Sequence, residues 1–114
     1  MEQAPGLYVG LMSGTSMDGV DAVAASFTGN ACQIAGHCHQ PYNAETLAGL
    51  KRLVRSAAEA GLAEVAALDV RVAADFARAA NRLIKECGLE PRQVAAIGSH
   101  GQTVLHAPRA EPPF

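Results

Sequence analysis

Apolar residues along the chain follow two rhythms, and the change between them divides it. Residues 7–11 and 20–27 are short apolar runs, and residues 33–42 alternate loosely between apolar and polar side chains, the period-two pattern of strands. The first two runs are joined by the polar bend Met12-Ser13-Gly14-Thr15-Ser16-Met17-Asp18-Gly19-Val20-Asp21. The next connection is Thr28-Gly29-Asn30-Ala31, a turn by composition. Three antiparallel strands in a meander are predicted, with the polar bend at the tip of the first hairpin.

From residue 43 the period lengthens. Asn43 is placed to cap a helix with Glu45 in its first turn. Leu47, Leu50, Val54, Ala57 and Ala58 recur at helical spacing, while Lys51, Arg52, Arg55 and Glu59 take the outer face. This helix is expected to stop near Gly61. Val65, Leu68, Val72, Phe76, Ala79, Ala80, Leu83, Ile84 and Cys87 mark a second helix of about six turns, closed by Gly88 and Pro91. Asp69, Arg71, Asp75, Arg78 and Arg82 read as its solvated face, joined by weak pairs. Spacing alone gives Asp69 no further role. Residues 94–99 form a short apolar run before Gly101, suited to a buried parallel strand delivered by the preceding helix. Three strands, two helices and one strand make an α/β chain.

Composition narrows the function classes. The 114 residues are 49% hydrophobic with a formal net charge of -2, a globular unit large enough to bury a core. There is no basic stripe, and the five aromatic residues are scattered, so nucleic acid is not an expected partner. Charges interrupt every apolar run well before ~18 residues, and Met-Glu-Gln-Ala-Pro at the start lacks a leader's basic and apolar regions. A cytoplasmic protein, with no membrane partner, is expected. Cys32, Cys38 and Cys87 are odd in number and form no Cys-x-x-Cys, which favours reduced thiols. On a strand, His37 and His39 would share one face with Cys38 between them, yet no third ligand lies at a characteristic spacing, so exposed imidazoles outweigh a zinc site.

The polar bend carries the strongest chemical signal. Gly14 and Gly19 tolerate positive φ and leave room for a ligand near the main chain. Thr15 and Ser16 can donate to phosphate oxygens, and backbone N–H groups at a hairpin tip can face an anion. Asp18 and Asp21 would repel a bare triphosphate, so the residue set makes sense with a divalent cation between them, directly or through water. The same residues also suit an ordinary surface turn, and residue types alone leave both readings open. Neither Gly-x-x-x-x-Gly-Lys-Ser/Thr nor Gly-x-Gly-x-x-Gly can be laid on these glycines, which disfavours a P-loop enzyme and a dinucleotide dehydrogenase. Ser99, His100, Gly101, Gln102 and Thr103 follow the last strand, where ligands gather in open α/β sheets, and their donors and acceptors suit a polyol such as a sugar. A polar turn at a strand end is the plainer alternative.

With both segments in view, Gly10-Leu-Met-Ser-Gly-Thr-Ser-Met-Asp-Gly-Val-Asp-Ala-Val23 and Ala96-Ile-Gly-Ser-His-Gly-Gln-Thr-Val-Leu-His106, the chain closely resembles the anhydro-N-acetylmuramic acid kinases. The likeness runs over essentially the whole chain, including Leu68-Asp69 and Phe76-Ala77 in the helices, but covers only the opening portion of those longer enzymes. It implies the ribonuclease-H-like fold of the sugar kinase, heat-shock chaperone and actin superfamily, with residues 1–114 an incomplete first lobe and the second lobe absent. The activity implied is transfer of the γ-phosphoryl group of ATP to the 6-oxygen of 1,6-anhydro-N-acetylmuramic acid. Water opens the anhydro bridge, giving N-acetylmuramic acid 6-phosphate and ADP in peptidoglycan recycling.

Carried over residue by residue, the resemblance places Gly14, Thr15, Ser16, Met17, Asp18, Gly19, Val20 and Asp21 in the ATP phosphate-binding loop. Thr15, Ser16 and the glycine amides would hold phosphate, Asp18 would organise Mg2+, and Val20 and Met17 would pack. Ser99, His100, Gly101 and Gln102 are placed near the sugar or cleft floor. The family's catalytic carboxylate and nucleotide-base pocket would follow Phe114, so no catalytic residue is assigned and the chain alone is expected to be inactive. A homodimer is implied for the complete enzyme. Two other functions remain open at this point: a kinase acting on another sugar, and a non-catalytic nucleotide-binding or interaction module ending at Phe114.

Overall fold

A computed structural model describes residues 6–114; the opening Met-Glu-Gln-Ala-Pro, read above as lacking a leader, lies outside the described residues. The alternating segments form β1 (Leu7–Ser13), β2 (Gly19–Thr28) and β3 (Ala31–Pro41), an antiparallel meander. Thr28 pairs with Ala31 across a two-residue turn. Gly29 takes φ +60 there, which matches the twist of the flanking strands at little steric cost to a glycine. Helices α1 (Ala44–Arg55) and α2 (Leu62–Glu86) follow, and β4 (Val94–Gln102) returns parallel to β1. The sheet order is β3-β2-β1-β4. This mixed sheet with two helices is the arrangement expected of the first lobe.

Helix α2 lies against one face of the sheet and α1 packs on α2. Val9 and Leu11 of β1, Val20, Ala22 and Ala24 of β2, and Cys38 of β3 point into a core completed by Leu50, Leu53, Leu68, Phe76, Ala79, Leu83 and Ile84. Alanines on both sides, at 22, 24, 79 and 80, let α2 lie close over β2 and β3. Cys38 Sγ makes a weak 3.8 Å contact to Ala79 O at that seam. The other sheet face is uncovered among the described residues, with Tyr8 and Met12 exposed on it.

Several local expectations need correction. Helix α1 ends at Arg55 rather than near Gly61, because Ser56 leaves helical geometry and its N–H closes on Arg52 O; Ala57–Glu59 form a separate 3-10 turn. The inner face of α1 is Thr46, Leu50 and Leu53, while Val54 turns outward and is 44% exposed. Strand β4 continues through Gln102 instead of stopping at Ser99. It is also an edge strand and not a buried one: α2 lies mainly over β2 and β3, leaving Ile97 half exposed. The closure of α2 follows expectation, with Gly88 at φ +66 and its N–H bonded to Lys85 O.

Asp75 departs most from its expected place on a solvated helix face, being only 1% exposed. Its carboxylate accepts the Asn43 N–H at 3.3 Å and an Arg78 guanidinium N–H, so it ties α2 to the start of α1. Removing one partner of a buried charged group leaves the other uncompensated. Since Arg78 is half exposed, solvent screens part of the loss. Urea unfolding at neutral pH should show Asp75→Ala costing about 2–3 kcal/mol and Arg78→Ala about 1 kcal/mol; equal, negligible costs would remove Asp75 from this role.

Candidate active site

Because β1 and β4 are parallel neighbours, the first hairpin's polar bend and the carboxyl end of β4 arrive at the same end of the sheet. Ser13 stands opposite Gln102, past a register shift after Leu11. Residues 14–17 close a turn through Met17 N–H to Gly14 O at 3.1 Å. Met17 takes φ +53 and packs its side chain against the core, so a left-handed residue reverses the chain while its thioether anchors the reversal.

The expected loop residues separate into groups. Thr15, Ser16 and Asp18 are exposed at the tip, with Ser16 Oγ donating to Asp18 Oδ1 at 3.2 Å. Among the described residues, the backbone N–H groups of Thr15, Ser16 and Asp18 donate to no acceptor within the chain. Gly14 is half-buried, with open space where a Cβ would be built and no positive φ; nothing within the ligand-free chain demands glycine there. Gly19 is demanded by the fold, since a Cβ would lie 2.4 Å from Gln40 O. Val20 is wholly buried in the core. Asp21 lies beyond the loop on β2, opposite Met12, and pairs with His39 Nδ1 at 2.8 Å.

At the other motif, Gly101 takes φ +76 within β4, where the register to β1 shifts between the Leu11–Ser99 and Ser13–Gln102 pairs. Ser99 and His100 are exposed, and His100 borders two hollows. One, of about 280 Å3, lies between the two helices and the carboxyl end of β4 and is lined in part by Asp69, Gly101 and Gln102. The other, of about 470 Å3, spreads over the uncovered sheet face around Gly10, Met12, Asp21, His39 and Gly98. His37 also lines this second hollow, but among the described residues no three His, Cys, Asp or Glu side chains gather as a metal site. The three cysteines are free thiols.

Two residues that sequence reasoning missed hold this end together. Ser13, 2% exposed, has its hydroxyl 2.6 Å from both Gly19 O and Gln102 Oε1. Tyr42 donates its N–H to Asp18 O at 3.2 Å and its hydroxyl to Gln102 Oε1 at 3.0 Å. Their only sequence signal is adjacency to the strand ends, and the partners are 60 and 89 residues distant.

Burial raises the Tyr42 hydroxyl above its ordinary 10.0, with Ser13 opposing the rise and the Asp18 carboxylate adding to it, so the hydroxyl remains a donor at neutral pH. Burial likewise raises the Cys38 thiol above its ordinary 9.0, against the opposing charge of Arg82. Both groups hold their protons more tightly folded than unfolded. Their stabilisation is therefore complete below the unfolded values and is lost as pH rises through the folded ones. Unfolding free energy should fall as pH rises above 9.0, and Tyr42→Phe should flatten the part of the decline above 10.0; identical alkaline slopes in both proteins would contradict this.

Among the described residues no helix is long and apolar enough to cross a membrane. The family model described as anhydro-N-acetylmuramic acid kinase matches residues 6–114. Curated proteins named anhydro-N-acetylmuramic acid kinase are similar to the chain: that of Xanthomonas oryzae pv. oryzae is 45% identical, over 95% of this chain and 29% of its own length. That of Nitrosomonas europaea is 39% identical over 91% and 28%, and that of Shewanella baltica 43% identical over 94% and 29%. The chain thus spans under a third of the length of these relatives. With the matched residues running through both strand-end motifs and the helices between them, the chain belongs to the anhydro-N-acetylmuramic acid kinase family.

Proposed function

We propose that this segment supplies the phosphate-binding side of the ATP site in an enzyme that phosphorylates 1,6-anhydro-N-acetylmuramic acid. The observation that carries the reading is the loop tip, where Thr15, Ser16 and Asp18 present N–H groups that find no acceptor among the described residues, beside two hydroxyls and one carboxylate. Phosphoryl transfer asks the protein chiefly for positioning and charge neutralisation, and this tip offers donors to phosphate oxygens. One exposed carboxylate with an adjacent hydroxyl also fits Mg2+, which keeps several waters and takes one or two carboxylates together with substrate phosphates. When bound, Mg2+ would supply charge neutralisation at the phosphates. Asp18 would hold it, while Asp21 is engaged with His39.

In this reading the 6-oxygen of the sugar receives the γ-phosphoryl group, ADP leaves, and water adds at the anomeric carbon as the bridge to the 6-oxygen breaks. The product is N-acetylmuramic acid 6-phosphate, an amino sugar returned to metabolism in peptidoglycan recycling, in the cytoplasm where ATP is available. Ser99, His100 and Gly101 lie at the sugar end of the site. Orientation of both reactants contributes roughly 7–11 kcal/mol to such reactions, and a segment under a third of the relatives' length carries only part of that alignment. A full-length enzyme carrying these residues should phosphorylate the anhydro sugar in the presence of Mg2+ and ATP, while the 114 residues alone show no turnover. Phosphorylation by the 114-residue chain, or a full-length enzyme that ignores this sugar and accepts others, would overturn the reading.

A further inference from the structure

The side-chain amide of Gln102 has two donor and two acceptor positions; three are hydrogen-bonded within the chain, and the fourth is filled by the Ser13 hydroxyl, whose single proton is shared with Gly19 O. Nε2 donates to Gly14 O at 3.2 Å and to Thr103 O at 3.0 Å. Oε1 takes the Tyr42 hydroxyl at 3.0 Å and lies 2.6 Å from Ser13 Oγ. The two carbonyls facing Nε2 fix which end of the amide is nitrogen. A sugar hydroxyl could reach this amide only by breaking one of these bonds or displacing Ser13 Oγ, so Gln102 has no open position with which to read a ligand.

What those bonds hold is the loop. Gly14 O, which already accepts Met17 N–H to close the turn, is fixed from outside by Gln102. At the loop's far end, Asp18 O is fixed by the N–H of Tyr42, whose ring is buried in the core. The hydroxyl of that same tyrosine returns to Gln102. Both ends of the loop are therefore gripped through carbonyl oxygens, and the N–H groups between them are left for an anion. Donors aimed in advance lose less freedom when they bind.

We propose that Gln102 is a positioning residue for the nucleotide loop, acting with Tyr42 and Ser13 as a clamp, and is not a sugar contact. The functional part of this inference rests on the ATP reading above; the clamp itself does not. In a full-length enzyme carrying these residues, Gln102→Met retains bulk and removes every hydrogen bond of the amide. Amide hydrogen exchange in residues 14–18 should then accelerate about tenfold or more through local opening. The KM for ATP should rise about tenfold while the KM for the anhydro sugar moves less than about twofold.

Tyr42→Phe, which deletes one bond and keeps the ring, should move both loop exchange and the ATP KM in the same direction by a smaller factor. It also keeps the inference testable if Gln102→Met fails to fold. Thr15→Ala should raise the ATP KM without changing exchange elsewhere in the loop. Unchanged loop exchange in both clamp variants, or a rise confined to the sugar KM, would overturn the proposal. If exchange accelerates while neither the clamp variants nor Thr15→Ala alter the ATP KM, the clamp stands and the nucleotide reading fails.

Discussion

Gly19→Ala should destabilise the chain by about 3 kcal/mol or more, although it adds a single methyl group. The first residue of β2 lies opposite Pro41. A Cβ built there would meet Gln40 O at 2.4 Å, His39 Nε2 at 2.8 Å and Pro41 Cα at 2.9 Å. The imidazole could move aside, but the other two atoms belong to the backbone of the paired strand, one of them in a proline. Relief would require β2 and β3 to separate beside the Tyr42–Asp18 hydrogen bond, loosening the loop base as well. Gly14→Ala in the same loop is the informative contrast. Its Cβ would enter open space, so its unfolding free energy should change by less than about 0.5 kcal/mol while a ligand lying over the turn would be displaced. Denaturant unfolding of both variants, with nucleotide affinity measured on Gly14→Ala, checks the pair; equal stability losses would mean that strand contact does not distinguish these glycines.

The second large effect is functional. In a full-length enzyme carrying these residues, Asp18→Asn should reduce Mg2+-dependent turnover about 100-fold or more with little change in unfolding free energy. Asp18 is exposed, and among the described residues its side chain hydrogen-bonds only Ser16 Oγ, so the core does not depend on its charge, whereas a metal-phosphate complex would. Asp21→Asn should behave differently, because that carboxylate is paired with His39 on the uncovered sheet face and stands outside the loop. Wild-type kinetics in Asp18→Asn, or equal losses in both variants, would remove Asp18 from its assigned part.

The legible and illegible parts of this molecule differ in the range of the interactions that decide them. Alternation and turn chemistry located the three meander strands, because side-chain period and a Gly-Asn turn are properties of neighbouring residues. The same holds for the stripe of α2 and its glycine stop. Strand β4 was located but wrongly buried, since an apolar run reads alike at the centre and at the edge of a sheet, and only the lie of α2 over β2 and β3 settles the matter. Asp75 looked like one more charge on a solvated helix face; its burial depends on Asn43, distant in sequence and adjacent in the fold. The two motifs were legible separately, and their meeting follows from the parallel pairing of β1 and β4. Ser13 and Tyr42 were invisible because their significance lies in contacts with Gln102 and with the two ends of the loop, which no local pattern encodes.

The most direct test of the nucleotide reading is a structure of a full-length enzyme carrying these residues, solved with Mg2+ and a non-hydrolysable ATP analogue. Phosphate oxygens within hydrogen-bonding distance of the Thr15, Ser16 and Asp18 N–H groups are the predicted result. A fully ordered nucleotide whose phosphates lie elsewhere, with those three N–H groups facing only solvent, would contradict it.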